Sequence, residues 1–286
     1  MFINSNNTIV YTCSIGQTEG LNAQPQIKNS NLRHVCLTDN KNLTSDEWEI
    51  ININSLFPMD QYRSQRNLKI RPQLVFPDYK YSLYLDNTVV LKATVEEFIN
   101  QLLLGLIKEE NEPFFILPFH SFRENLISEF YECFMNNLDT HLNFYEQLRD
   151  YIKINSIALK NKPYWTAILF RSHMHSKLIE FSEIWFSNVM RYSRRDQLSI
   201  IHSGLQSNLN LIGFELDNHS SKYHNWPILK QERRFRIIDN EQFKISSDFL
   251  SQIVKKLSLE DNQIKKINFE EEIFKNYSDD GLKNQL

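Results

Sequence analysis

An aspartate ends the most strand-like segment of this sequence. Residues 81–85 read Tyr-Ser-Leu-Tyr-Leu, and the apolar pattern resumes after the acid, so we expect one strand over residues 81–91 in a buried sheet. A carboxylate at the end of a buried strand is costly unless a cation or a metal ion accompanies it. Because open α/β sheets bind ligands at the carboxyl ends of their strands, Asp86 is a candidate for holding a divalent cation against a phosphate. The alternative is an acid that starts a turn with Asn87.

Three basic residues precede this strand at three-residue spacing. Arg63, Arg66 and Lys69 fall in a polar, helical segment that begins at Asp60 and closes at Pro72. Residues three apart lie near each other on a helix surface. Guanidinium groups bind phosphate oxygens with two hydrogen bonds, and lysine adds a point charge. The segment therefore predicts a clamp for a diphosphate, and the alternative is an ordinary surface paired with acids such as Asp60.

A second polar cluster, Ser-Arg-Arg-Asp-Gln-Leu-Ser, occupies residues 193–199 between two helical patterns. Ser193 is a possible helix cap, and Asp196 falls in the first turn of the next helix. The helix dipole favours an acid there whatever its function. The same position can also aim the carboxylate of Asp196, with the amide of Gln197 beside it, into a cleft as a base, a nucleophile or a ligand for sugar hydroxyls.

His120 and Arg123 stand at a predicted strand-to-helix junction, with Glu129 one to two turns later. The junction suits an anionic or hydroxylated substrate, although Glu129 can instead be a surface acid. His219 and Lys222 lie close together near the end of the folded pattern. None of the histidines or cysteines has the His-Glu-x-x-His or Cys-x-x-Cys spacing of a zinc site, so no structural zinc is predicted.

Strands and helices alternate along the chain and would position these residues. The predicted strands are 8–15, 33–38, 48–53, 81–91, 114–117 and 165–170. Helical periodicity begins at 60, 94, 121, 140, 178 and 196, and Thr94 with Glu97 forms a capping box. This alternation predicts an α/β fold with a mostly parallel central sheet flanked by helices.

Composition narrows the class of protein. The chain has 286 residues, of which 41% are hydrophobic, enough for one large domain over residues 1–230. Residues 231–286 are highly charged and predict a helical extension, whose alternating charges favour a solvated helix over a peripheral membrane contact. A net charge of −3 gives no case for nucleic-acid binding. With only 6 glycines, no Gly-x-Gly-x-x-Gly or Walker loop is present.

The cysteines and the hydropathy of the sequence indicate the cellular compartment. The 3 cysteines are far apart and odd in number, which argues against a disulfide framework and suits a reducing compartment. No apolar run approaches the roughly 18 to 20 residues of a transmembrane helix, and no signal-peptide pattern opens the chain. We therefore expect a cytoplasmic protein.

Taken in order, several short segments resemble the TOD/MUCI-type glycosyltransferase-like domain family, from about Ile9 to Ser199. The matching segments are Val10-Tyr11-Thr12, Val35-Cys36-Leu37-Thr38-Asp39, Trp48-Glu49-Ile50, the Arg63, Arg66, Lys69 and Pro72 series, Tyr81-Ser82-Leu83-Tyr84-Leu85-Asp86, His120 with Arg123, and Arg195-Asp196-Gln197-Leu198-Ser199. The resemblance implies a GT-A-like nucleotide-sugar-binding fold, a nucleotide-diphosphate sugar donor and a glycan acceptor.

The resemblance also implies roles for individual residues. Donor binding falls to a set that would contact nucleotide, ribose, phosphate and metal: Thr12, Asp39, Arg63, Arg66, Lys69, Asp86, Asn87 and Lys222. Asp196 and Gln197 would face the donor sugar, and Asp86 with His219 would hold Mn²⁺ or Mg²⁺. The family's acidic motif has a second acid two residues on, or reads Asp-Gly-Asn. Here it reads Asp86-Asn87-Thr88, which predicts weaker metal affinity.

Three functions remain open from the sequence. The leading hypothesis is a glycosyltransferase that moves a hexose from a nucleotide-diphosphate sugar to a polysaccharide or glycan acceptor. The incomplete acidic motif motivates the second, a non-catalytic domain that binds a nucleotide sugar or a carbohydrate. The third, a lipid amide hydrolase, needs a nucleophile with its base or a zinc site, and neither has recognisable spacing here.

Overall fold

A computed structural model of the protein describes residues 3–16, 20–107 and 112–229, so the predicted extension at 231–286 lies outside the described residues. The strands are β1 (Thr8–Ser14), β2 (Arg33–Thr38), β3 (Glu49–Asn52), β4 (Tyr81–Leu85), β5 (Val90–Leu91), β6 (Phe115–Pro118), β7 (Ile168–Arg171), β8 (Ile212–Phe214) and β9 (His224–Asn225). The helices are α1 (Gln61–Ile70), α2 (Val95–Phe98), α3 (Leu126–Met135), α4 (His141–Asn155), α5 (Ser176–Arg191) and α6 (Asp196–Ser207).

Seven strands form one sheet in the order β3-β2-β1-β4-β7-β6-β8. The neighbours from β3 to β4 are parallel, and β6 is parallel to β8. Only β7 runs the other way, antiparallel to both β4 and β6. All residues of β1 and β4 are buried, because apolar layers cover both faces of the sheet. The predicted α/β fold with a mostly parallel sheet flanked by helices is confirmed.

The predicted strand over residues 81–91 is wrong beyond Leu85. The chain turns at Asp86, where the Val89 amide donates to the Asp86 carbonyl oxygen at 2.9 Å. The following strand β5 pairs with β9 in a separate two-stranded sheet. The side chain of Gln24 accepts from the Leu91 amide at 3.0 Å, which fixes β5 beside the turn. The turn-forming pair Asp86 and Asn87 thus overrides the apolar pattern around it.

Of two predicted helix caps, Thr94 is confirmed and Ser193 is wrong. Thr94 caps α2 by accepting from the Glu97 amide, as predicted, but α2 ends at Phe98. A π-helical turn (Ile99–Leu103) and a 3₁₀ turn (Leu104–Leu106) replace the regular helix expected there. The residue that precedes α6 is Arg195, so Ser193 is not the helix cap. Its hydroxyl instead accepts from the Arg195 amide at 3.1 Å and bends the chain before the helix.

The helix α1 begins where its sequence indicates. Asp60 caps it by accepting from the Arg63 amide at 3.0 Å, and the helix ends before Pro72. Because α1 packs beside β1 and α6 follows α5, the first turns of α6 and the middle of α1 meet at the ends of β1 and β4.

In the part of the chain that the structure describes, no helix combines the length and apolarity needed to cross a membrane.

Candidate functional site

A cavity of about 270 Å³ opens at the carboxyl ends of β1 and β4 and the amino end of β7. The chain places β2 and β3 on one side of β1 and β4 on the other, so the strand order reverses between β1 and β4. Ligands of open α/β sheets bind at such a switch point. The predicted site residues that line the cavity are Arg66, Lys69, Asp86, His120, Arg123, Glu129, Asp196 and Gln197.

Arg66, Lys69 and Asp196 form the charged floor of this cavity. The Arg66 Nε and the Lys69 Nζ each lie 2.8 Å from a different carboxylate oxygen of Asp196. The Lys69 side chain is 1% exposed and that of Asp196 is 3% exposed. Burial alone would raise the pKa of Asp196, but Arg66, Lys69 and Arg195 outweigh it and hold that pKa below its usual range. The carboxylate is therefore ionised and keeps both cations in place.

Asp86 lies where the sequence predicted it, at the carboxyl end of the middle strand of the sheet. Its side chain is 26% exposed, and its Oδ1 accepts from the Tyr84 hydroxyl at 2.7 Å. The Lys69 Nζ lies 3.5 Å from the same oxygen and also donates to the Thr166 hydroxyl at 3.2 Å. The ammonium of Lys69 thus stands between two carboxylates, one buried and one that faces the cavity.

His120, Arg123 and Glu129 form a second group, the rim cluster. The Arg123 Nε donates to Glu129 Oε2 at 3.2 Å, and the His120 Nε2 lies 3.8 Å from the same oxygen. Glu129 is 5% exposed, so its alternative interpretation as a surface acid is wrong. Burial, with Arg123 and Arg195 adding to it, lowers the pKa of His120 to about 3. His120 is therefore neutral at physiological pH.

The thiol of Cys133 also lines the cavity. It donates to Glu129 Oε1 at 3.4 Å. Burial and the Glu129 carboxylate raise the pKa of Cys133 well above its usual value. A protonated thiol is a poor nucleophile, so this side chain serves the rim cluster as a weak hydrogen-bond donor.

A buried arginine supports the helix that carries Arg66 and Lys69. Arg171 is 0% exposed and donates through its guanidinium to the backbone carbonyls of Lys69 and Ile70, to the Tyr11 hydroxyl and to the Ser82 hydroxyl. These carbonyls belong to the last turn of α1, where a positive charge also complements the helix dipole. Burial lowers the pKa of Arg171. The guanidinium ties the end of α1 to the centre of the sheet.

Two of the predicted donor-site residues, Arg63 and Thr12, do not line the cavity. Arg63 donates to the backbone carbonyls of Val189 and Tyr192 and pairs with Asp60, so it does not line the cavity. Each three-residue step on a helix falls about 60° short of a full turn, which separates Arg63 from Lys69 by about 120°. Thr12 is fully buried in the middle of β1 and does not line the cavity either.

The side chain of Asn87 forms hydrogen bonds with the backbone and does not line the cavity. Its side chain accepts from the Asn22 amide at 2.7 Å and donates to the Gly20 carbonyl at 2.9 Å. The predicted contact of Asp39 with nucleotide stays a prediction. Its carboxylate accepts from the Gly16 amide at 2.9 Å and from the Ser55 hydroxyl at 2.7 Å, beside the exit of β1.

The two residues near the end of the described chain do not line the cavity. Lys222 lies 4.6 Å from the centre of the Tyr223 ring. His219 stacks on Phe122 with ring centres 4.8 Å apart and lies 5.4 Å from the ring of Trp226. Within the described ranges, no group of three or more His, Cys, Asp or Glu side chains is arranged to hold a metal ion. Asp86 can supply one carboxylate ligand, and the predicted role of His219 as a second ligand stays a prediction.

Sequence reasoning missed the aromatic residues of the cavity. Tyr62, Phe122, Trp165 and Trp226 all line it, although aromatic side chains usually indicate a core and carry no spacing signal for a site. Gly16 follows β1 with a φ of +78°, and a Cβ there would lie 2.2 Å from the side chain of Gln61, which lines the cavity. The glycine therefore lets β1 turn tightly beside α1.

Comparison with known proteins gives a family match over most of the chain. The family model described as TOD1/MUCI70, glycosyltransferase-like domain matches residues 8–215, which run from the start of β1 to just past β8. No curated protein matches the chain. The matched stretch contains the charged floor, Asp86 and the rim cluster, while Trp226 lies beyond it.

Proposed function

Because the chain belongs to the TOD1/MUCI70 glycosyltransferase-like domain family, we propose that it transfers a sugar from a nucleotide-diphosphate donor to a glycan acceptor. The observation that carries this proposal is the position of Lys69. Its ammonium lies between Asp86 and Asp196 at the switch point between β1 and β4, where a diphosphate would bind. Family and geometry therefore support the same class of reaction.

The reaction breaks the bond between the anomeric carbon and the donor's phosphate oxygen. The bonding electrons leave with the nucleoside diphosphate, an acceptor hydroxyl oxygen bonds to the anomeric carbon, and its proton passes to a base. Negative charge grows on the leaving diphosphate, and preorganised cations stabilise such charge in a cavity that holds little water. Lys69 and Arg66 supply these cations, and the ionised Asp196 fixes their positions.

Asp196 and Gln197 begin α6 and both line the cavity. A carboxylate accepts hydrogen bonds from hydroxyls, and an amide both donates and accepts. In this proposal the two side chains face the donor sugar. The Asp196 carboxylate lies beside the anomeric carbon, where its negative charge stabilises the oxocarbenium-like transition state.

The balance of charges in the cavity gives a divalent cation a role in binding the donor. Among the described residues, four cations line the cavity (Arg66, Lys69, Arg123 and Arg195) and four acids oppose them (Asp86, Glu129, Glu132 and Asp196), so the formal charges of these side chains cancel. A bound diphosphate therefore adds negative charge that the side chains do not offset. Asp86 would hold Mg²⁺ or Mn²⁺ together with substrate oxygens, since Mg²⁺ uses few protein carboxylates. The ion would supply positive charge to the diphosphate.

Calorimetric titration of the full-length protein with UDP and GDP, with and without Mn²⁺, tests the proposal. We expect one of the two to bind, and to bind more tightly with Mn²⁺. Lys69→Met removes the charge at similar volume and should weaken that binding by about 1–3 kcal/mol, the range for a charge-assisted hydrogen bond. Lys28→Met, at an exposed lysine that does not line the cavity, is the matched control.

Unfolding in urea must show that the Lys69→Met protein is folded at the titration temperature. If neither nucleotide binds, or if the folded variant binds as well as the control, the cavity does not hold a diphosphate. Binding without transfer or hydrolysis of any nucleotide sugar would instead make the chain a non-catalytic nucleotide-sugar-binding domain.

A further inference from the structure

Phe122, His219 and Trp226 form an aromatic stack at one end of the cavity. The rings of Phe122 and His219 are 4.8 Å apart and 22° from parallel, and those of His219 and Trp226 are 5.4 Å apart. Phe122 and Trp226 line the cavity, and Phe122 is 39% exposed. A large aromatic ring left exposed at a cavity mouth is a surface that a ligand can cover.

The stack is held rigidly. The Trp226 Nε1 donates to the Thr88 hydroxyl at 3.1 Å, just past the turn at Asp86. The Trp226 ring also meets the buried ring of Trp165 edge-on, with centres 5.3 Å apart. A ring fixed on two sides loses little conformational entropy when a ligand binds to its free face. The aromatic surface is therefore preformed.

The stack lies on the opposite side of Asp86 from β1. Phe122 follows β6, and Trp226 follows β9, while the switch point lies between β1 and β4. In the sheet, β7 separates β4 from β6, so the two ends of the cavity are roughly 10–15 Å apart at ordinary strand spacing. A donor whose diphosphate lies at the switch point has its sugar directed along the cavity and leaves the aromatic end for a second substrate.

Polar groups surround the aromatic surface as a sugar would require. The Arg123 guanidinium lies over part of the Phe122 ring, 5.1 Å from its centre, and is fixed by Glu129. The neutral ring of His120 meets Phe122 at 4.2 Å and 75°. A pyranose ring has an apolar C–H face and a rim of hydroxyls, so it matches an aromatic face edged by hydrogen-bonding groups.

We propose that Phe122 and Trp226 form a platform on which a pyranose ring of the acceptor glycan stacks, with the rim cluster binding its hydroxyls. This inference rests on the proposed transferase function, because that function requires a second sugar site. The competing occupant is the nucleotide base. Tyr62 and Ile15 line the cavity at the β1 end and offer the base its own apolar contacts beside the diphosphate.

Saccharide binding can be measured directly from tryptophan fluorescence. The protein has 4 tryptophans, of which Trp165 and Trp226 line the cavity. The full-length protein would be titrated with trisaccharides built from neutral hexoses, pentoses and hexuronic acids, with and without UDP or GDP. We expect at least one trisaccharide to bind and to change the fluorescence.

Phe122→Leu should weaken that binding by about tenfold, and Phe122→Tyr should keep it, because only an aromatic side chain presents a flat, rigid face to the C–H groups of the sugar. Phe186→Leu is the matched control, since Arg71 lies 4.5 Å from the centre of that ring outside the cavity. The affinity for UDP or GDP should stay unchanged in all three variants.

Two results would overturn the platform. One is the absence of saccharide binding with every trisaccharide, with or without nucleotide. The other is a Phe122→Leu protein that loses nucleotide affinity while its saccharide affinity is kept, which would assign the stack to the base. Failure of the transferase function looks different, because there neither UDP nor GDP binds while the saccharide measurement still reports on Phe122.

Discussion

Asp196 links the two cations of the charged floor. Each carboxylate oxygen takes one of them, Arg66 or Lys69, at 2.8 Å. The sequence places Asp196 in the first turn of α6, where the helix dipole favours an ionised acid. The structure gives the main roles to Arg66 and Lys69, with Arg195 adding to them. Arg194 instead donates to the Leu138 carbonyl and lies over the Tyr62 ring.

Replacing Asp196 by Asn keeps the shape of the side chain and removes its charge. We expect kcat for transfer to fall by about 100-fold or more, because Lys69 and Arg66 lose their fixed positions and the donor sugar loses an ionised acceptor. The affinity for the nucleoside diphosphate should not fall, since both cations remain. Steady-state kinetics together with calorimetry would measure the two effects.

Asp78→Asn, at an exposed acid, is the control for this change. Normal turnover in the folded Asp196→Asn protein would reduce Asp196 to a structural partner of the two cations. Loss of nucleotide affinity would place it beside the donor phosphates instead.

Local rules account for the residues that the sequence located correctly. Asp86 directly follows the buried strand β4 and lines the cavity, and this acid is the residue that interrupts the apolar pattern between residues 81 and 91. Arg66 and Lys69 share a helix face because they are three residues apart. Local spacing could not predict the position of Arg63. Its guanidinium donates to backbone carbonyls at the end of α5, more than a hundred residues later in the chain. The spacing of residues along the chain does not predict contacts between distant segments.

At the scale of elements, α1 is the helix whose placement decides the site. It carries Arg66 and Lys69, and its last turn is bound by Arg171 of β7. The guanidinium spans two backbone carbonyls, the Tyr11 hydroxyl and the Ser82 hydroxyl, which no single ammonium can reach together. A buried arginine with these partners therefore sets the register between the helix and the sheet.

Arg171→Lys keeps the charge but loses the fork of donors. We expect the free energy of unfolding to fall by about 1–3 kcal/mol, because buried carbonyls are left without partners. Urea unfolding of the purified protein measures this. Arg33→Lys, at an exposed arginine of β2 paired with Glu49, should change stability by less than about 1 kcal/mol. Equal effects of the two changes would show that Arg171 does not anchor α1.

The order and type of most elements followed from the sequence. Apolar periodicity predicted β1, β2, β3 and β6 and the helices α4 to α6 to within a few residues, but it placed the end of β4 too late. It failed after Phe98, where a π-helical turn interrupts the helix, and at β5, which pairs outside the main sheet. Both failures occur where packing against distant segments selects among backbones that the same apolar pattern allows.

At the scale of the whole molecule, buried histidines couple stability to pH. The chain has 8 histidines, and burial lowers the pKa of five of them, in two cases to about 4 and for His120 to about 3. The five are His34, His120, His173, His202 and His224. In the unfolded chain each takes up a proton near pH 6.5, whereas the folded protein resists protonation.

Below about pH 6.5 the unfolded state therefore binds more protons than the folded state. The free energy of unfolding decreases as the pH is lowered through this range. We expect the free energy of unfolding to drop by roughly 1 kcal/mol for each of His120, His173 and His202 between pH 7.5 and pH 5.5, and the other two histidines change it in the same direction. Urea titrations at these two values measure the drop. His173→Gln can keep the hydrogen bond to the Phe76 carbonyl and should reduce the drop by one histidine's share. Equal stability at both pH values would contradict the expected neutrality of these histidines.

The cavity is assembled from segments that are far apart in the chain, from Cys13 in β1 to Trp226 after β9. During synthesis, a ribosome releases these segments one after another, at about 5–20 residues per second. Asp86 and Lys69 emerge long before Asp196, and Trp226 emerges last of the described residues that line the cavity. A growing chain must therefore carry Arg66, Lys69 and Asp86 in water for several seconds before Asp196, the partner of both cations in the buried cluster, is made. A chain cut after β8 would keep the charged floor but lack the Trp226 wall of the cavity.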